Sequence, residues 1–303
     1  MALLALAMGG WGCAVSRTSH IAPAGLPSPP KEASAAQLIA KINAQSAVVE
    51  TLLATVDLEP SAGSVYSGVI KQYHDVKGFL LLRKPDFIRM TGQAPVVRTD
   101  IFDMASDGRQ FSLYIPSENK FYVGATELPE RAGKPLENLR PQHILDALLL
   151  QPIDPAADAY FLEDVDRDTE RDYVIGALGP TRSHGTGPVI LKRKIWFDRS
   201  DLEISRVQLY GGGGAYLEDI GYSNYRDFGG VHYPGRITIH RPEEDYSLTI
   251  TLLNAQFNQP VPLSKFILKK PANARLIDLN GQSQPAQSAR PAQSPQAGAS
   301  HGQ

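Results

Sequence analysis

Hydrophobic and polar residues alternate along most of this chain, a pattern typical of antiparallel strands that are covered on one side only. The clearest case is the segment 246–252, where apolar residues alternate with serine or threonine. Similar segments recur from about residue 48 to residue 124, and again from residue 160 to residue 257. The sequence therefore predicts a large antiparallel sheet with one wet and one dry face.

Two segments follow a helical period instead. Ser34 and Gln37 match a capping box, and apolar residues follow them at helical spacing, which predicts a helix over residues 34–45. A second helix is predicted over residues 141–150, with proline at its start and an apolar surface too wide for a helix with one wet side. Strands and helices do not alternate, which argues against a parallel sheet. The predicted fold class is mainly β with short α-helices.

The two ends of the chain differ from this folded body. Residues 1–13 combine an apolar run, small residues and Cys13, and residues 14–33 are rich in proline. A proline-rich segment of about 20 residues is semi-extended and reaches on the order of 60 Å. Residues 282–303 are low in apolar content, a composition typical of disorder. The predicted organisation is a signal peptide with a lipidation site, a tether, one domain over residues 34–281, and a disordered tail.

Cys13 is the only cysteine of the chain, so it cannot form an intramolecular disulfide. Its position after an apolar run and Gly12 fits a bacterial lipidation site, where the sulfur would carry an acyl group such as palmitate. Trp11 is bulky where such sites have a small residue, and no basic residue precedes Arg17, unlike in most signal peptides. The alternative is a free cysteine buried in an ordinary N-terminus. Ala14, rather than aspartate, follows Cys13, and by resemblance to lipoprotein sorting signals this favours the outer membrane.

Composition and charge exclude several classes of function. The formal net charge is -2 at pH 7, so the chain as a whole has no electrostatic preference for nucleic acid, which we do not expect as a partner. A single cysteine excludes a disulfide framework and a multi-thiolate metal site. Beyond the N-terminus, no stretch approaches the roughly 18 apolar residues that a membrane-spanning helix needs.

The sequence contains no persuasive catalytic or metal-binding motif. It has no Gly-x-Ser-x-Gly elbow, no phosphate-binding loop and no zinc-binding His-Glu-x-x-His. Asp164, Asp166 and Asp168 match the first ligands of a calcium loop, but Thr169 stands where that loop needs glycine, so a solvated hairpin loop is the better interpretation. We therefore expect no enzymatic activity, no metal and no cofactor.

The predicted sheet has one very apolar face, and the two predicted helices are available to cover it. Two interpretations stay open: an ordinary packed core, or a sheet that curls around a ligand cavity with the helices as its lid. The candidate residues of the cavity and lid are Leu81, Phe87, Phe102, Met104, Phe111, Leu113, Leu145, Leu148, Val207 and Leu248.

Several short motifs occur in a recognisable order. They are Gly-Phe-Leu-Leu-Leu-Arg-Lys-Pro-Asp-Phe-Ile-Arg at 78–89, Ser-Asp-Gly at 106–108, Tyr-Ile-Pro at 114–116 and Phe-Ile-Leu-Lys-Lys-Pro at 266–271. Their order and spacing resemble the LolA/LolB-like family of periplasmic lipoprotein carriers and acceptors, over roughly residues 36 to 279. The acceptor's protruding apolar loop has one candidate counterpart here, Ala94–Val97.

The resemblance implies a half-open antiparallel β-barrel, of about eleven strands on the pattern above, with helices covering its mouth. It also implies that the barrel binds acyl chains of lipids or lipoproteins without covalent chemistry, with the helix around Leu145 and Leu148 as the gate. Combined with an N-terminal lipid anchor, it implies an envelope protein at the outer membrane, facing the periplasm, that sorts lipoproteins or transfers lipid. The alternative is a structural or sensory envelope lipoprotein that binds a protein partner.

Overall fold

A computed structural model describes residues 29–62, 71–72, 76–94, 98–126, 140–166, 171–180 and 188–280. Cys13, the tether up to residue 28 and the tail from residue 282 lie outside these ranges, so the lipid anchor, the tether and the disordered tail stay predictions. Only Ala94 of the candidate loop Ala94–Val97 is described. Thr169 of the acidic run also falls outside the described residues.

The described residues form two α-helices and a 15-stranded sheet. The helices are α1 (Ala35–Val48) and α2 (Pro141–Leu148). The strands are β1 (Thr51–Ala62), β2 (Lys71–Gln72), β3 (Val76–Arg83), β4 (Phe87–Gln93), β5 (Asp100–Ser106), β6 (Gln110–Ile115), β7 (Lys120–Ala125), β8 (Ala159–Asp166), β9 (Arg171–Pro180), β10 (Val189–Asp198), β11 (Ile204–Tyr210), β12 (Tyr216–Asp227), β13 (His232–Arg241), β14 (Tyr246–Phe257) and β15 (Arg275–Asp278).

The mainly β fold class with short helices is confirmed, whereas the described strands outnumber the predicted count of about eleven. Across the sheet the strands follow the order β15-β7-β6-β5-β4-β3-β1-β14-β13-β12-β11-β10-β9-β8, and β2 pairs with β1. Strands β15 and β8 are the two edges and do not pair with each other, so the described sheet is open. All neighbouring pairs are antiparallel except β15 with β7.

Helix α1 begins where the capping box predicts. The backbone N–H of Ser34 donates to Oε1 of Gln37 at 2.8 Å, and the backbone N–H of Gln37 donates to the Ser34 hydroxyl at 3.4 Å. Leu38, Ile39 and Ile42 then follow at helical spacing and are at most 1% exposed. The helix runs three residues further than predicted and ends at Val48.

The connection between β7 and β8 determines where α2 lies. Strand β7 is next to one edge of the sheet and β8 forms the opposite edge, so the intervening chain has to cross the sheet. Helix α2 belongs to this crossing and contacts both β5 and β13, which lie on opposite sides of the central β1–β14 pair. The crossing therefore brings α2 over one face of the sheet, which we call the inner face.

Alternation along each strand separates the inner face from the outer face. In β3, Val76, Leu80 and Leu82 are at most 4% exposed on the inner side, whereas Phe79 between them is 51% exposed. The buried residues of the inner face form one hydrophobic cluster with α1 and α2. The sheet is thus a single layer, and both α-helices cover the same side of it.

Candidate functional site

Most of the residues that the sequence nominates for a cavity and lid come together on the inner face. Each of these residues is at most 4% exposed and belongs to the same hydrophobic cluster. They are Phe102, Met104, Phe111, Leu113, Val207 and Leu248 on the strands, and Leu145 and Leu148 on α2. The cluster joins strands from both sides of the central β1–β14 pair to the helix above them.

Leu81 and Phe87 do not belong to this group, and the prediction that their side chains lie on the inner face is wrong. Leu81 lies between the buried Leu80 and Leu82, so its side chain points to the outer face. The ring of Phe87 packs on the outer face against Phe266, with the ring centroids 5.6 Å apart. The outer side of β3 is marked by polar residues at positions 77 and 83, which alternate with Leu81, but the run between them is apolar on both sides.

Two buried tyrosines fasten α2 to the sheet. The hydroxyl of Tyr222 on β12 donates to the carbonyl oxygen of Ala147 at 2.8 Å, and that of Tyr233 on β13 donates to Leu148 at 2.6 Å. Burial raises the pKa of both phenols far above the ordinary value, so both stay protonated and able to donate. The C-terminal end of α2 is thereby positioned by hydrogen bonds from one half of the sheet.

The segment that follows α2 is fastened in the same way. The guanidinium of Arg193 on β10 donates to the carbonyl oxygens of Gln151 and Pro152, at 2.5 and 2.8 Å. The side-chain amide of Asn43 on α1 exchanges two hydrogen bonds of 2.8 Å with the backbone of Ile153. We call residues 141–153 the lid, since this continuous segment is apolar underneath and held by polar side chains of the sheet and of α1.

The lid carries two titratable groups, the buried His143 and the partly buried Asp146. Burial raises the pKa of Asp146 to about 6, and the hydrogen bond that its carboxylate accepts from Gln142 at 2.8 Å opposes this shift. Burial lowers the pKa of His143 well below its ordinary value, and the positive charge of Arg241 lowers it further. At neutral pH the lid therefore contains an ionised carboxylate at a partly dry position and an uncharged imidazole.

A group of buried charges lies next to His143. Arg241 on β13 forms an ion pair with Glu218 on β12 at 2.8 Å and a second one with Glu244 at 3.0 Å. Glu218 is only 1% exposed and Arg241 is 6% exposed. The guanidinium of Arg140, just before the lid, lies 5.0 Å from the ring centroid of Phe111. The inner face is therefore apolar in most places but ends in an internally paired charged group near the start of the lid.

The sequence did not indicate the residues that fasten the lid. Tyrosine is a common strand residue, and the hydrogen bonds of Tyr222 and Tyr233 join positions 75 and 85 residues apart in the chain. Within the described ranges, no group of three or more His, Cys, Asp or Glu residues could hold a metal ion. None of the helices in those ranges is long and apolar enough to cross a bilayer.

No protein-family model matches the chain, and no curated protein matches it. Among solved structures, a DUF1329 family protein from Desulfovibrio piger is similar at 13% identity, over 76% of this chain and 95% of that one, with a TM-score of 0.49. A LolA superfamily protein from Nitrosomonas europaea is similar at 12% identity, over 78% of this chain and 99% of that one, with a TM-score of 0.49.

A protein from Vibrio parahaemolyticus, described as an outer membrane lipoprotein-sorting protein domain, is similar at 12% identity. That similarity covers 76% of this chain and 94% of the other, with a TM-score of 0.48. All of these similarities are distant.

Proposed function

We propose that the domain is an acyl-chain-binding module of the bacterial cell envelope. The lid alternates between the closed position described above and an open position that admits an acyl chain of a lipid or lipoprotein. The observation that carries this proposal is the lid itself: its lower side is apolar, yet polar side chains of other elements hold its carbonyl groups.

The free-energy cost of opening the lid can be offset by the burial of an acyl chain in its place. Leu145 and Leu148 are each 3% exposed on the lower side of the closed lid, so opening uncovers apolar surface on the lid and on the inner face. An acyl chain that takes their place gains about 0.8 kcal/mol for each methylene removed from water. A long chain therefore offsets the cost of opening.

The hydrogen bonds of the lid suit a segment that opens and closes. Each contributes about 1 kcal/mol net, because water replaces the lost partner when the lid opens. Tyr222, Tyr233, Arg193 and Asn43 together define one closed position without making opening prohibitive. Directional bonds to backbone carbonyls also return the lid to the same place after release of the ligand.

The proposed location in the envelope rests on the N-terminal segment and on the resemblance of the sequence motifs. Cys13 would carry the lipid anchor, and the proline-rich tether would let the domain stand clear of the bilayer. By resemblance of the sequence motifs, the client is a lipoprotein or a lipid at the outer membrane, on the periplasmic side. We propose no catalytic step for this module.

The proposal is tested on the full chain with Cys13→Ala, which removes the anchor and leaves the domain unchanged. We expect lipid extracted from the purified protein to contain acyl chains in a fixed ratio to protein, as measured by mass spectrometry. We also expect a fluorescent fatty acid to bind saturably and to be displaced by unlabelled fatty acid. Absence of both co-purified lipid and saturable binding contradicts the proposal.

The tight packing of the inner face favours a second candidate function, a structural or sensory module that binds a protein partner. Met104 and Leu248 are 0% and 2% exposed, as in an ordinary core. In this case the lid never opens separately from the rest of the domain. Amide hydrogen exchange decides between the two functions. If the lid opens separately, its amides exchange faster than those of β1 and β14; if it is part of a permanent core, they exchange at the same rate.

A further inference from the structure

The outer face of the sheet carries exposed apolar residues near its centre. Phe79 on β3 is 51% exposed and Leu253 on β14 is 46% exposed. Beside Phe79 lies a groove of about 380 Å³, whose walls include Leu53 and Leu81 and whose rim includes Asn254. Strands covered on one side are expected to carry polar residues on the uncovered face. An exposed apolar area on that face is typical of a surface that binds a partner.

The apolar area continues towards the end of the domain. In the antiparallel register Leu81 lies opposite Arg89 on β4. The guanidinium of Arg89 donates to the backbone carbonyl of Lys265 at 3.0 Å, and that of Arg83 donates to Val261 at 2.8 Å. Residues 261–270, which we call the closing segment, are thereby fixed to the outer face next to the groove.

The closing segment has a buried side and an exposed side. Phe266 is 4% exposed and packs on Phe87, which anchors the segment to β4. Leu263 and Ile267, by contrast, are 48% and 64% exposed. Packing on the sheet therefore leaves two large aliphatic side chains in water, on a segment whose backbone is held by hydrogen bonds from Arg83 and Arg89.

Lysines accompany these aliphatic residues. Lys265 and Lys269 are exposed, and neither side chain forms a hydrogen bond or ion pair with any described residue. No acidic residue occurs between Asp245 and Asp278, although the whole chain has a formal net charge of -2. The closing segment is thus a locally basic region on a slightly acidic protein.

We propose that this surface docks the domain on an anionic lipid bilayer. Its members, which we call the basic apolar face, are Phe79, Leu81, Leu263, Lys265, Ile267 and Lys269. Aliphatic and aromatic side chains flanked by lysines suit the boundary between acyl chains and phosphate headgroups, where each group finds a matching environment. No carboxylate of the stretch between Asp245 and Asp278 offsets the two lysines, and the neighbouring carboxylate of Asp103 is neutralised by its ion pair with Arg89.

This function is separate from acyl-chain binding under the lid, because the two surfaces lie on opposite sides of the sheet. It is also separate from Cys13, which would hold the chain near a membrane through a tether of about 20 residues that reaches on the order of 60 Å. A tether of that length leaves the orientation of the domain undetermined. The basic apolar face provides the second, reversible contact that orients it.

The test is co-sedimentation of the full chain carrying Cys13→Ala with vesicles of phosphatidylcholine alone or mixed with phosphatidylglycerol. We expect binding to the anionic vesicles that weakens at high salt, and weaker binding to the neutral ones. Lys265→Gln with Lys269→Gln should weaken anionic binding by roughly fivefold per lysine. Leu263→Gln with Ile267→Gln should weaken binding to both kinds of vesicle.

The control is Val189→Gln with Lys192→Gln on β10, which removes one exposed aliphatic residue and one lysine far from the face in strand order. We expect wild-type binding from this control. Since every variant keeps the apolar N-terminal run, differences among them report on the face alone. The proposal is overturned if the Cys13→Ala protein does not bind anionic vesicles, or if the face variants bind as strongly as it does. It is also overturned if the control loses as much binding as the face variants. Thermal unfolding confirms that each variant is folded.

Discussion

The two sides of β3 carry side chains of the same kind in different environments. Leu80 and Leu82 are 1% and 0% exposed under the helices, whereas Phe79 on the other side is 51% exposed. Both sides carry large apolar residues in the middle of the strand, yet only the inner side packs into the hydrophobic cluster of the domain. An apolar residue therefore contributes to stability on the inner face and is available for association on the outer face, and the predictions below separate these roles.

The largest effect is expected from shortening an inner residue of β3. Leu82→Ala removes buried methyl groups and leaves a cavity, so the free energy of unfolding should fall by about 3 kcal/mol. Leu81→Ala, one position away on the outer face, should cost less than about 1 kcal/mol. Urea unfolding of both variants measures the contrast. Similar losses would mean that the outer face is as well packed as the inner one.

A second prediction concerns the charge within the lid. Asp146 has a pKa raised to about 6 from an ordinary 3.8, so its ionisation favours the unfolded state. The stability from the protonated form is complete below about pH 4 and is lost as pH rises through about 6. Asp146→Asn should therefore stabilise the domain by about 1–2 kcal/mol at pH 8, after allowance for partial exposure.

That gain should shrink as pH falls below 6 and vanish near pH 4. Chemical unfolding of both proteins at pH 8, 6 and 4.5 measures it. His143 acts in the opposite sense, because its lowered pKa makes protonation unfavourable in the folded state, but it is present in both proteins and cancels in the difference. A gain that is independent of pH would show that the carboxylate is not the cause.

A third prediction isolates the fastening of the lid. Tyr233→Phe removes the hydroxyl that donates to Leu148 and keeps the ring, so stability should fall by about 1 kcal/mol. Tyr225→Phe is the matched control, since its hydroxyl donates to Ile204 on β11 and not to the lid. Both variants should lose similar stability, but only Tyr233→Phe should speed amide exchange in the lid. Equal exchange in the two variants argues against a separately opening lid.

The smallest effect on stability is expected on the outer face. Phe79→Ser changes a half-exposed side chain, and the free energy of unfolding should change by less than about 0.5 kcal/mol. Binding to anionic vesicles should nevertheless weaken, because Phe79 belongs to the basic apolar face. Parallel measurements of urea unfolding and vesicle co-sedimentation check this. A large loss of stability would assign Phe79 to the core instead.

The fold class and α1 could be predicted because their signals are local. Alternation reports a sheet covered on one side, and the Ser34–Gln37 capping box identifies the start of a helix. Strand β15 was missed because it is short and gains its place by pairing with β7, which lies far away in the sequence. Pairing between distant segments leaves no periodic signal in either one.

The candidate site was predictable only in part, for a related reason. Met104 and Leu248 lie in alternating segments, which predict that their side chains face the inner side of the sheet. Leu81 lies in the apolar run 79–82, which is apolar on both sides, and only Lys77 and Arg83 near its ends indicate which side faces water. The tyrosines that fasten the lid act through contacts between distant parts of the chain, so only the folded structure reveals them.

The central pairing of β1 with β14 has a consequence for how the chain acquires its fold. Val56 lies opposite Leu252, so the middle of the sheet joins segments from the two ends of the domain. A chain that leaves a ribosome or a secretion channel N-terminus first has β1 unpaired on that side until β14 has emerged. Such late, long-range pairing makes folding slow and exposes apolar strands in the meantime. A chain of this topology therefore benefits from protection by a chaperone during export, before its own apolar surfaces find each other.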